Sequence, residues 1–515
     1  MGCICSSWFS IKLNSSIHGF FKGKSGLRQG DPLSPYLFVL SMKVLSRYLR
    51  LICTKPNVSY HPKCSRLKLT HLVFADDLMI FTRGDLPSIQ TVLDTLTHFS
   101  DLFGLHANKD KTDIYFGGVA ETVKHHILYT TGFSEGTFPF RHLGLTLNTT
   151  RNTTDMYGLL ISKLQNKVQY WATKFLSYAG KAQLINSVVF GLEAFWCANV
   201  LLPYNILKKL NKMSKDFFWG IGSDQRKWVC KSWDSICSPW LEGGFDIKEL
   251  LSWNKALLAK WIWILETQQH WLWFSWRKAY HFPDIPFWEV TCKAHFAESF
   301  RSIITVKDEM LVKAGSQGNA AKLLHDWTVK GKFYLSAAYN WFRIARPQLT
   351  WARALHSQHI SPSHSFITSL VVQRKLATIE SLISKGLYIL NRCILCKQEN
   401  ESHQHLFFCC SYSIEVWHAV LQWIGMDARS NHYEQELLWI AHKNHRRHWQ
   451  AQWYISCIAA TVFYIWQERN SRIFRGVEHS PSHILNQLQL TVSSRLLRYV
   501  RKKQYGLLLS KLNGA

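Results

Sequence analysis

The stretch "HLVFADDLMIF", residues 71–81, places the adjacent carboxylates Asp76 and Asp77 between two apolar runs. The runs "LVF" and "LMIF" predict two short strands joined at a tight turn, and their consecutive apolar positions favour strands that are covered on both faces. Ionised groups between buried strands are costly unless a cation or solvent compensates their charge. We interpret the pair as a magnesium site, because magnesium prefers hard oxygen ligands and shares them with phosphates. The alternative is ordinary turn chemistry.

The composition indicates a folded protein with a polyanionic partner. Of the 515 residues 47% are hydrophobic and only 18% are charged, which excludes a disordered chain. Lys and Arg number 61 against 34 Asp and Glu, and the net charge of +27 predicts binding to a polyanion such as RNA or DNA, with a basic membrane-facing surface as the alternative. The 13 cysteines are scattered, which favours a reducing compartment, so we expect a nuclear or cytoplasmic location. No apolar run is long enough for a transmembrane segment, and residues 454–466 predict a buried helix.

Helices are predicted on both sides of the hairpin. Asp31 as N-cap and Pro32 at the first helical position predict a helix that follows "GLRQGD". A second helix is predicted to end near Gly104. Together with the hairpin, these elements indicate an α+β unit.

From about residue 150 the sequence becomes helical. An apolar stripe over residues 160–175 predicts a helix that stops at Gly180. Three lysines lie off this stripe, namely Lys163, Lys167 and Lys174. Such a basic face is usually solvated, but beside a nucleic-acid site it would follow a phosphate backbone.

Two motifs together resemble one family of polymerases. "FADD" between apolar strands resembles the catalytic hairpin of reverse transcriptases. "GLRQGDPLSP", residues 26–35, resembles the template-contacting loop and helix of the non-long-terminal-repeat (LINE-type) retrotransposon class. "GLHANKDKT", residues 104–112, and "FPFRHLGLTL", residues 138–147, resemble the segment after the hairpin and the primer grip. Later segments are similar to plant elements, so the likeness covers nearly the whole chain.

The resemblance implies RNA-directed DNA synthesis on an RNA and DNA template–primer, with Asp76 and Asp77 as catalytic magnesium ligands. The template- or nucleotide-contacting residues that it implies are Arg28, Gln29, Gly30, Lys109 and Lys111.

The family also has an essential Asp upstream of "GLRQGDPLSP", whereas residues 1–30 contain no Asp or Glu. A two-metal polymerase needs carboxylates from more than one strand. We therefore expect an N-terminally truncated, catalytically inactive reverse transcriptase-like protein. The alternative is a non-catalytic, zinc-containing nucleic-acid-binding protein. After residue 440 the only acids are Glu468 and Glu478, too few for the carboxylate cluster of a ribonuclease H.

A cysteine and histidine cluster lies in "CILCKQENESHQHLFFCC", residues 393–410. Its C-x2-C-x8-H-x4-C spacing supplies the soft ligands of a structural zinc site. The ligands predicted by this spacing are Cys393, Cys396, His405 and Cys410. His403 and Cys409 are the alternative ligands, and a reduced, metal-free cluster is the alternative to zinc. The segment also resembles the zinc-binding region of plant reverse transcriptase-like proteins.

The resemblance implies a partial reverse transcriptase palm followed by a mostly α-helical thumb and C-terminal region with a small zinc-binding module. The expected bounds are 1–148 for the palm, 149–270 for the thumb, 271–348 for a connecting region, 349–425 for the zinc-binding domain and 426–515 for a basic helical tail. The opening residues "MGCICSS" fit the myristoylation pattern with Gly2 as acceptor. A lipid anchor at Gly2 is the less favoured alternative, because we interpret Met1 as a start inside a longer reading frame.

Overall fold

The computed structural model describes most of the chain as two compact units. The described residues are 8–23, 26–27, 30–54, 58–147, 157–174, 176–199, 202–220, 229–267, 271–283, 285–294, 296–386, 390–425 and 449–498. The first unit combines residues 1–152 with 262–297, and the second combines 153–261 with 298–515. The predictions for Gly2, Arg28 and Gln29 lie outside the described residues.

Short strands alternate with helices in the N-terminal part of the chain. The elements are β1 (Trp8–Leu13), β2 (Ser16–Lys22), α1 (Ser34–Ile52), β3 (His71–Phe74), β4 (Asp77–Ile80), α2 (Leu86–Phe103), β5 (Asp113–Ile114), α3 (Glu121–Thr131), β6 (Ser134–Glu135), β7 (Phe140–His142) and β8 (Leu145–Leu147). In the described part of the chain the strands pair only two by two, as β1–β2, β3–β4, β5–β6 and β7–β8, and β5–β6 alone among these four is parallel.

Helices dominate the remainder. They are α4 (Gly158–Ala172), α5 (Tyr178–Leu184), α6 (Phe190–Asn199), α7 (Tyr204–Trp219), α8 (Trp233–Ile236), α9 (Leu250–Thr267), α10 (Leu272–His281), α11 (Glu298–Ala314), α12 (Gln317–Asp326), α13 (Leu335–Phe342), α14 (Ala352–Leu355), α15 (Pro362–Val372), α16 (Ile379–Ile383), α17 (Ser411–Ile424), α18 (Trp449–Arg475) and α19 (Pro481–Leu497). The short strands β9 (Thr328–Val329) and β10 (Lys332–Phe333) form an antiparallel pair. The mixed palm-like part and the helical remainder agree with the predicted α+β class.

The hairpin β3–β4 packs against a hydrophobic core formed between α1 and α2. The residues of this core are Leu45, Leu49 and Ile52 of α1 with Val92 and Phe99 of α2. Leu78 and Ile80 of β4 pack against it. Because the apolar residues of α1 recur every three to four positions, one face of that helix is apolar and is buried here.

Helix α1 begins later than the sequence predicts. Leu33 occupies the N-cap position and the helix starts at Ser34, with Pro35 in its first turn. The side chain of Asp31 accepts a hydrogen bond from the Leu33 N–H at 2.8 Å. Asp31 therefore caps a turn in front of the helix, and placing Pro32 at the first helical position was wrong. Pro35 suits the first turn, since N–H groups there have no helical partner.

Two glycines that were expected to end helices differ in outcome. Gly104 ends α2 in the left-handed conformation, with φ +67°, which confirms the prediction. Gly180 does not stop a helix, because α4 already ends at Ala172. Gly180 lies in the first turn of α5, and its N–H donates to the Oγ of Ser177, the N-cap residue, at 3.1 Å. Sequence alone could not separate a stop from a first turn at this position.

The C-terminal helices form part of the core of the second unit. Helix α18 packs against α15, α17 and α19. Seven of its residues have no solvent exposure: Trp453, Cys457, Ala459, Ala460, Thr461, Val462 and Ile465. The prediction of a buried helix over 454–466 is confirmed. Within the described residues, no helix is long and apolar enough to span a membrane.

Two histidines in this core predict that the second unit loses stability in mild acid. Burial lowers the pKa of His356 and of His364 to about 4, against 6.5 for an exposed histidine. The unfolded chain binds these protons below pH 6.5 and the folded chain does not, so stability falls as the pH drops from 6.5 towards 4. We expect the free energy of unfolding to fall by roughly 2 kcal/mol per histidine between pH 7 and pH 5.

Denaturant titrations at both pH values measure this loss. His356→Phe keeps the ring contact with Trp240, whose centroid lies 5.5 Å from that of His356, and removes one titrating group. It is expected to reduce the acid-induced loss by roughly the 2 kcal/mol attributed to His356, since the other buried histidines remain. The exposed His325 supplies the control, His325→Phe. An equal acid-induced loss in His356→Phe and His325→Phe would contradict the prediction.

Candidate metal centre

The Asp pair lies at the exposed tip of a tight hairpin. Phe74 pairs with Asp77, so Ala75 and Asp76 form a two-residue turn, with Ala75 at φ +52°. Both carboxylates are exposed. Alanine rarely adopts this left-handed conformation, which two-residue hairpin turns require. The structure therefore presents Asp76 and Asp77 to solvent at the end of the hairpin.

The strands beneath the pair are not covered on both faces, as the sequence had suggested. Leu72, Val73 and Phe74 of β3 are 42%, 38% and 63% exposed. The described part of this sheet has two strands: β4 packs against the α1–α2 core, whereas β3 contributes only its first residue, His71, which contacts Ser46 of α1. An apolar run in the sequence shows the capacity to be buried, not whether a covering element is present.

One potential ligand approaches the Asp pair. The Nδ1 atom of His142, on β7, lies 3.8 Å from a carboxylate oxygen of Asp77. Among the described residues, no group of three or more His, Cys, Asp or Glu side chains that could hold a metal includes Asp76 or Asp77. The hairpin thus offers two carboxylates that suit a magnesium ion shared with phosphate oxygens.

The other residues implied by the polymerase resemblance are spread along the first unit. Gly30 lies in the turn before α1 with φ +87°, a conformation that favours glycine. Lys109 and Lys111 lie in an exposed 3₁₀ turn, which Asn108 caps by accepting from the N–H of Asp110 at 3.0 Å. Their contacts with a template stay a prediction.

The second unit brings a four-residue cluster together. The ligand atoms of Cys393, Cys396, His405 and Cys410 all lie within 4.8 Å of one another. The Sγ atoms of Cys393 and Cys410 are 3.9 Å apart, and Sγ of Cys396 is 3.3 Å from Nε2 of His405. Two sulfurs bound to zinc at about 2.3 Å in a tetrahedral site lie about 3.8 Å apart. Three thiols and one imidazole at these separations fit a closed structural zinc site.

Two turns of the backbone bring these ligands together. The N–H of Lys397 donates to the Cys393 carbonyl at 2.8 Å, and Lys397 adopts φ +58°, which folds the C-x2-C segment back. The N–H of Cys410 donates to the His405 carbonyl at 2.7 Å, across the π-helical turn His405–Cys409. This wider turn places the last two ligands beside each other although five positions separate them.

The contact between two of the thiols shifts their proton affinities. A hydrogen bond from Cys393 lowers the pKa of Cys410 to about 5 and correspondingly raises the pKa of Cys393. This contact favours the Cys410 thiolate, and the thiolate is the form that binds metal.

A carboxylate outside the cluster lies beside the imidazole of His405. Its Nδ1 atom lies 3.0 Å from a carboxylate oxygen of Glu399, which leaves Nε2 to face Cys396. A carboxylate on the second nitrogen of a metal-binding histidine fixes the tautomer and the ring orientation. The C-x2-C-x8-H-x4-C spacing did not identify Glu399, because this residue is not part of the pattern. Its place in the loop after Lys397 is the only hint that the sequence offers.

The two alternative ligands lie outside the cluster. Nε2 of His403 lies 3.2 Å from the Leu376 carbonyl, and the side chain is buried there. Cys409 is exposed. None of the eleven described cysteines forms a disulfide.

A buried ion pair anchors the module, and the sequence did not predict it. Both oxygens of Glu401 accept from Arg469 of α18, at 2.7 and 3.2 Å, and neither side chain is more than 5% exposed. Glu401 also accepts the Ile379 N–H at the start of α16, at 2.8 Å. The two partners are 68 positions apart. No local signal could pair them.

Two family models match separate parts of the chain. Residues 1–168 match the family model described as reverse transcriptase (RNA-dependent DNA polymerase). Residues 333–417 match the model described as zinc-binding in reverse transcriptase. The Asp hairpin lies within the first match and the Cys/His cluster within the second.

Several curated proteins are similar over part of the chain. A "Putative ribonuclease H protein" of Arabidopsis thaliana is 29% identical over 189 residues, which cover 35% of this chain and 30% of that protein. An "Uncharacterized mitochondrial protein" of the same plant is 38% identical over 77 residues, 14% of this chain and 62% of that protein. A Pol polyprotein from retrotransposable element R2 of Popillia japonica is 34% identical over 88 residues, 17% of this chain and 14% of that protein.

The chain thus spans 30% of the first of these relatives and 62% of the second. The two family models match separate segments, one around the Asp hairpin and one around the Cys/His cluster. On these matches, the chain carries a reverse transcriptase domain and a reverse transcriptase zinc-binding domain, and it is a reverse transcriptase-like, retrotransposon-derived protein.

Proposed function

We infer that this chain binds nucleic acid through a basic surface on its second unit, that its Cys/His cluster holds a structural zinc ion, and that the 515-residue chain by itself does not polymerise DNA. A nuclear or cytoplasmic location belongs to the same proposal, because RNA and DNA are found in both compartments. The observation that carries the binding function is an unpaired set of lysines on two packed helices, α4 and α7.

The lysines of α7 face away from the core. Ile206, Leu207, Leu210 and Phe217 form its buried face. The exposed lysines on the opposite face are Lys208, Lys209 and Lys212. This division follows the helical period, in which residues three or four apart share a face.

Helix α4, which packs on α7, carries further exposed basic residues. Lys163, Lys167 and Tyr170 are exposed and recur at helical spacing, and Lys174 follows the helix end. The two helices pack through Trp171 and Phe217, whose ring centroids are 5.7 Å apart. Among the described residues, none of these six lysines makes an ion pair. A surface of uncompensated lysines with an exposed tyrosine suits a phosphate backbone with a base stacked beside it.

The triple variant Lys208→Gln, Lys209→Gln, Lys212→Gln tests the binding proposal. We expect weaker binding of a labelled RNA strand and of an RNA–DNA primer–template, because three phosphate contacts are lost. The slope of log K against log salt should fall by roughly 2 to 3. Fluorescence anisotropy over a salt series measures both quantities.

A matched triple variant controls for net charge. Lys322, Lys330 and Lys332 lie in the same unit and are also exposed, and their change to Gln removes the same charge. It should leave the slope unchanged. Equal losses in the two triple variants, or wild-type binding that does not respond to salt, would contradict the proposed surface.

The proposal of no polymerase activity rests on the Asp hairpin. Asp76 and Asp77 would hold magnesium together with phosphate oxygens, and in a nucleic-acid complex the ion would position those oxygens. Two-metal phosphoryl transfer draws ligands from more than one structural element. The Asp hairpin supplies its two carboxylates from one turn, with His142 the nearby imidazole.

A primer-extension assay tests this second part. We expect the chain with magnesium to extend a primed RNA template no faster than its Asp76→Ala variant. Magnesium-dependent extension that Asp76→Ala and Asp77→Ala both abolish would contradict the proposal and identify an active polymerase. The anisotropy measurement is the control that both variants still bind the template–primer.

A further inference from the structure

The segment "QERNSR", residues 467–472 of α18, carries charged side chains into the interior of the second unit. Glu468 is 1% exposed, and the side chain of Arg472 is 7% exposed. They lie one helical turn apart and form an ion pair at 2.7 Å. Buried charges are costly unless they are fully hydrogen-bonded, so each contact of this pair is informative.

The guanidinium of Arg472 joins three parts of the fold. Its Nε donates to Glu468 at 2.7 Å, one terminal nitrogen donates to the Leu395 carbonyl at 3.1 Å, and the other donates to the His479 carbonyl at 3.3 Å. The plane also lies over the Tyr412 ring, 4.6 Å from its centroid. Leu395 is the residue before Cys396, inside the C-x2-C turn of the Cys/His cluster.

Glu468 is held in the orientation that this arrangement needs. One of its oxygens accepts the His479 N–H at 2.8 Å, and the other lies 2.7 Å from Nδ1 of His479. The Tyr412 hydroxyl donates to the His479 carbonyl at 2.9 Å. The loop after α18 thereby fixes Glu468, which fixes Arg472, which contacts the C-x2-C turn.

We propose that Arg472 is a positioning residue for the metal centre: through the Leu395 carbonyl it holds the Cys393–Cys396 turn in the geometry that binds zinc, and it couples metal binding to the packing of α18. The inference rests on the proposed zinc site. Hydrogen-bond partners outside the ligand shell commonly change metal affinity 10–100-fold.

The coupling is reciprocal. If the packing of α18 raises the affinity for zinc, zinc must stabilise the packing of α18 by the same factor. The affected part of the helix is its last turns, residues 465–475, where Arg472 lies, and not the apolar start of α18.

The experiment measures zinc affinity in the full chain by competition with a chromogenic chelator. Arg472→Gln is expected to weaken zinc binding 10–100-fold. Arg472→Lys should fall between Arg472→Gln and wild type, because an ammonium cannot donate in three fixed directions as a guanidinium does. Arg475→Gln, on an exposed position of the same helix, is the matched control and should stay within twofold of wild type.

Two further readouts separate positioning from general stability. The absorption spectrum of the cobalt-substituted Arg472→Gln protein should keep the thiolate bands of a four-ligand site, which shows that the ligands are intact and only their affinity has changed. In the wild type, hydrogen exchange of residues 465–475 should quicken when zinc is chelated. The hydrogen-exchange measurement needs no substitution, so it tests the coupling between zinc binding and α18 packing even when Arg472→Gln fails to fold.

The possible results separate failure of the Arg472 proposal from failure of the proposed zinc site. A wild-type chain that binds no zinc removes the zinc site and the inference with it. A wild type that binds zinc, with Arg472→Gln within twofold of Arg475→Gln or with exchange of 465–475 unaffected by chelation, overturns the inference alone.

Discussion

Replacing Cys410 by serine is expected to abolish tight zinc binding and to destabilise the zinc module. Cys410 has no solvent exposure, and its Sγ lies 3.9 Å from that of Cys393. A structural zinc ion contributes about 10 to 16 kcal/mol of apparent binding free energy in small zinc modules, and this energy is available to the fold. We expect zinc affinity to fall by more than 100-fold, since a serine hydroxyl does not supply the thiolate.

The neighbouring cysteine provides a matched control for this prediction. Cys409 is exposed and lies outside the cluster, so Cys409→Ser should keep one zinc ion per chain. Metal content of the purified full chain and thermal unfolding with and without a chelator measure the two effects. Equal loss of zinc in Cys409→Ser and Cys410→Ser would show that the four-ligand assignment is wrong.

Breaking the buried ion pair between Glu401 and Arg469 is expected to be the second large effect. Glu401 has no solvent exposure, and its carboxylate accepts from Arg469 and from the Ile379 N–H. Glu401→Gln leaves the guanidinium buried without a counter-charge. Removal of one partner of a buried pair typically costs about 3 to 5 kcal/mol, and we expect a loss of that size in the free energy of unfolding.

A double variant and a neighbouring glutamate make this test specific. The combination Glu401→Leu with Arg469→Met removes both charges and should recover most of the loss, since buried pairs are often replaceable by apolar residues. It should still lack about 1 to 3 kcal/mol, because the Ile379 N–H loses its acceptor. The exposed Glu380 gives the control, Glu380→Gln, which should be nearly neutral. Urea denaturation followed by tryptophan fluorescence measures all three, and a neutral Glu401→Gln would refute the prediction.

Local sequence signals predicted which helices and strands form. They predicted less well how exposed those elements are. Apolar spacing and turn residues identified the hairpin with its tight turn and the end of α2 at Gly104. The same signals could not say that β3 is exposed, because exposure depends on which elements cover a strand. They also misplaced the start of α1, since Asp31 can cap either a helix or the turn before it.

At the candidate metal centre, too, the sequence predicted the short-range features and missed the long-range contacts. The C-x2-C-x8-H-x4-C spacing named the four residues that the structure brings together, because both halves of the motif are short-range. It left His403 open as a ligand, and only the contact with the Leu376 carbonyl places that ring elsewhere. Arg469 and Arg472 were missed, because they reach the module from a helix more than 50 positions later in the chain.

The π-helical turn between His405 and Cys410 requires a fixed number of residues between these two ligands. Its i to i+5 hydrogen bond joins the two ligands themselves, and Leu406 and Phe407 within it have no solvent exposure. Deleting one residue there would convert the turn to an α-helical one and rotate everything beyond it by about 100°. An insertion or deletion would therefore separate the metal ligands and expose the apolar residues in one step, so this segment can accept changes of side-chain shape but no change of length.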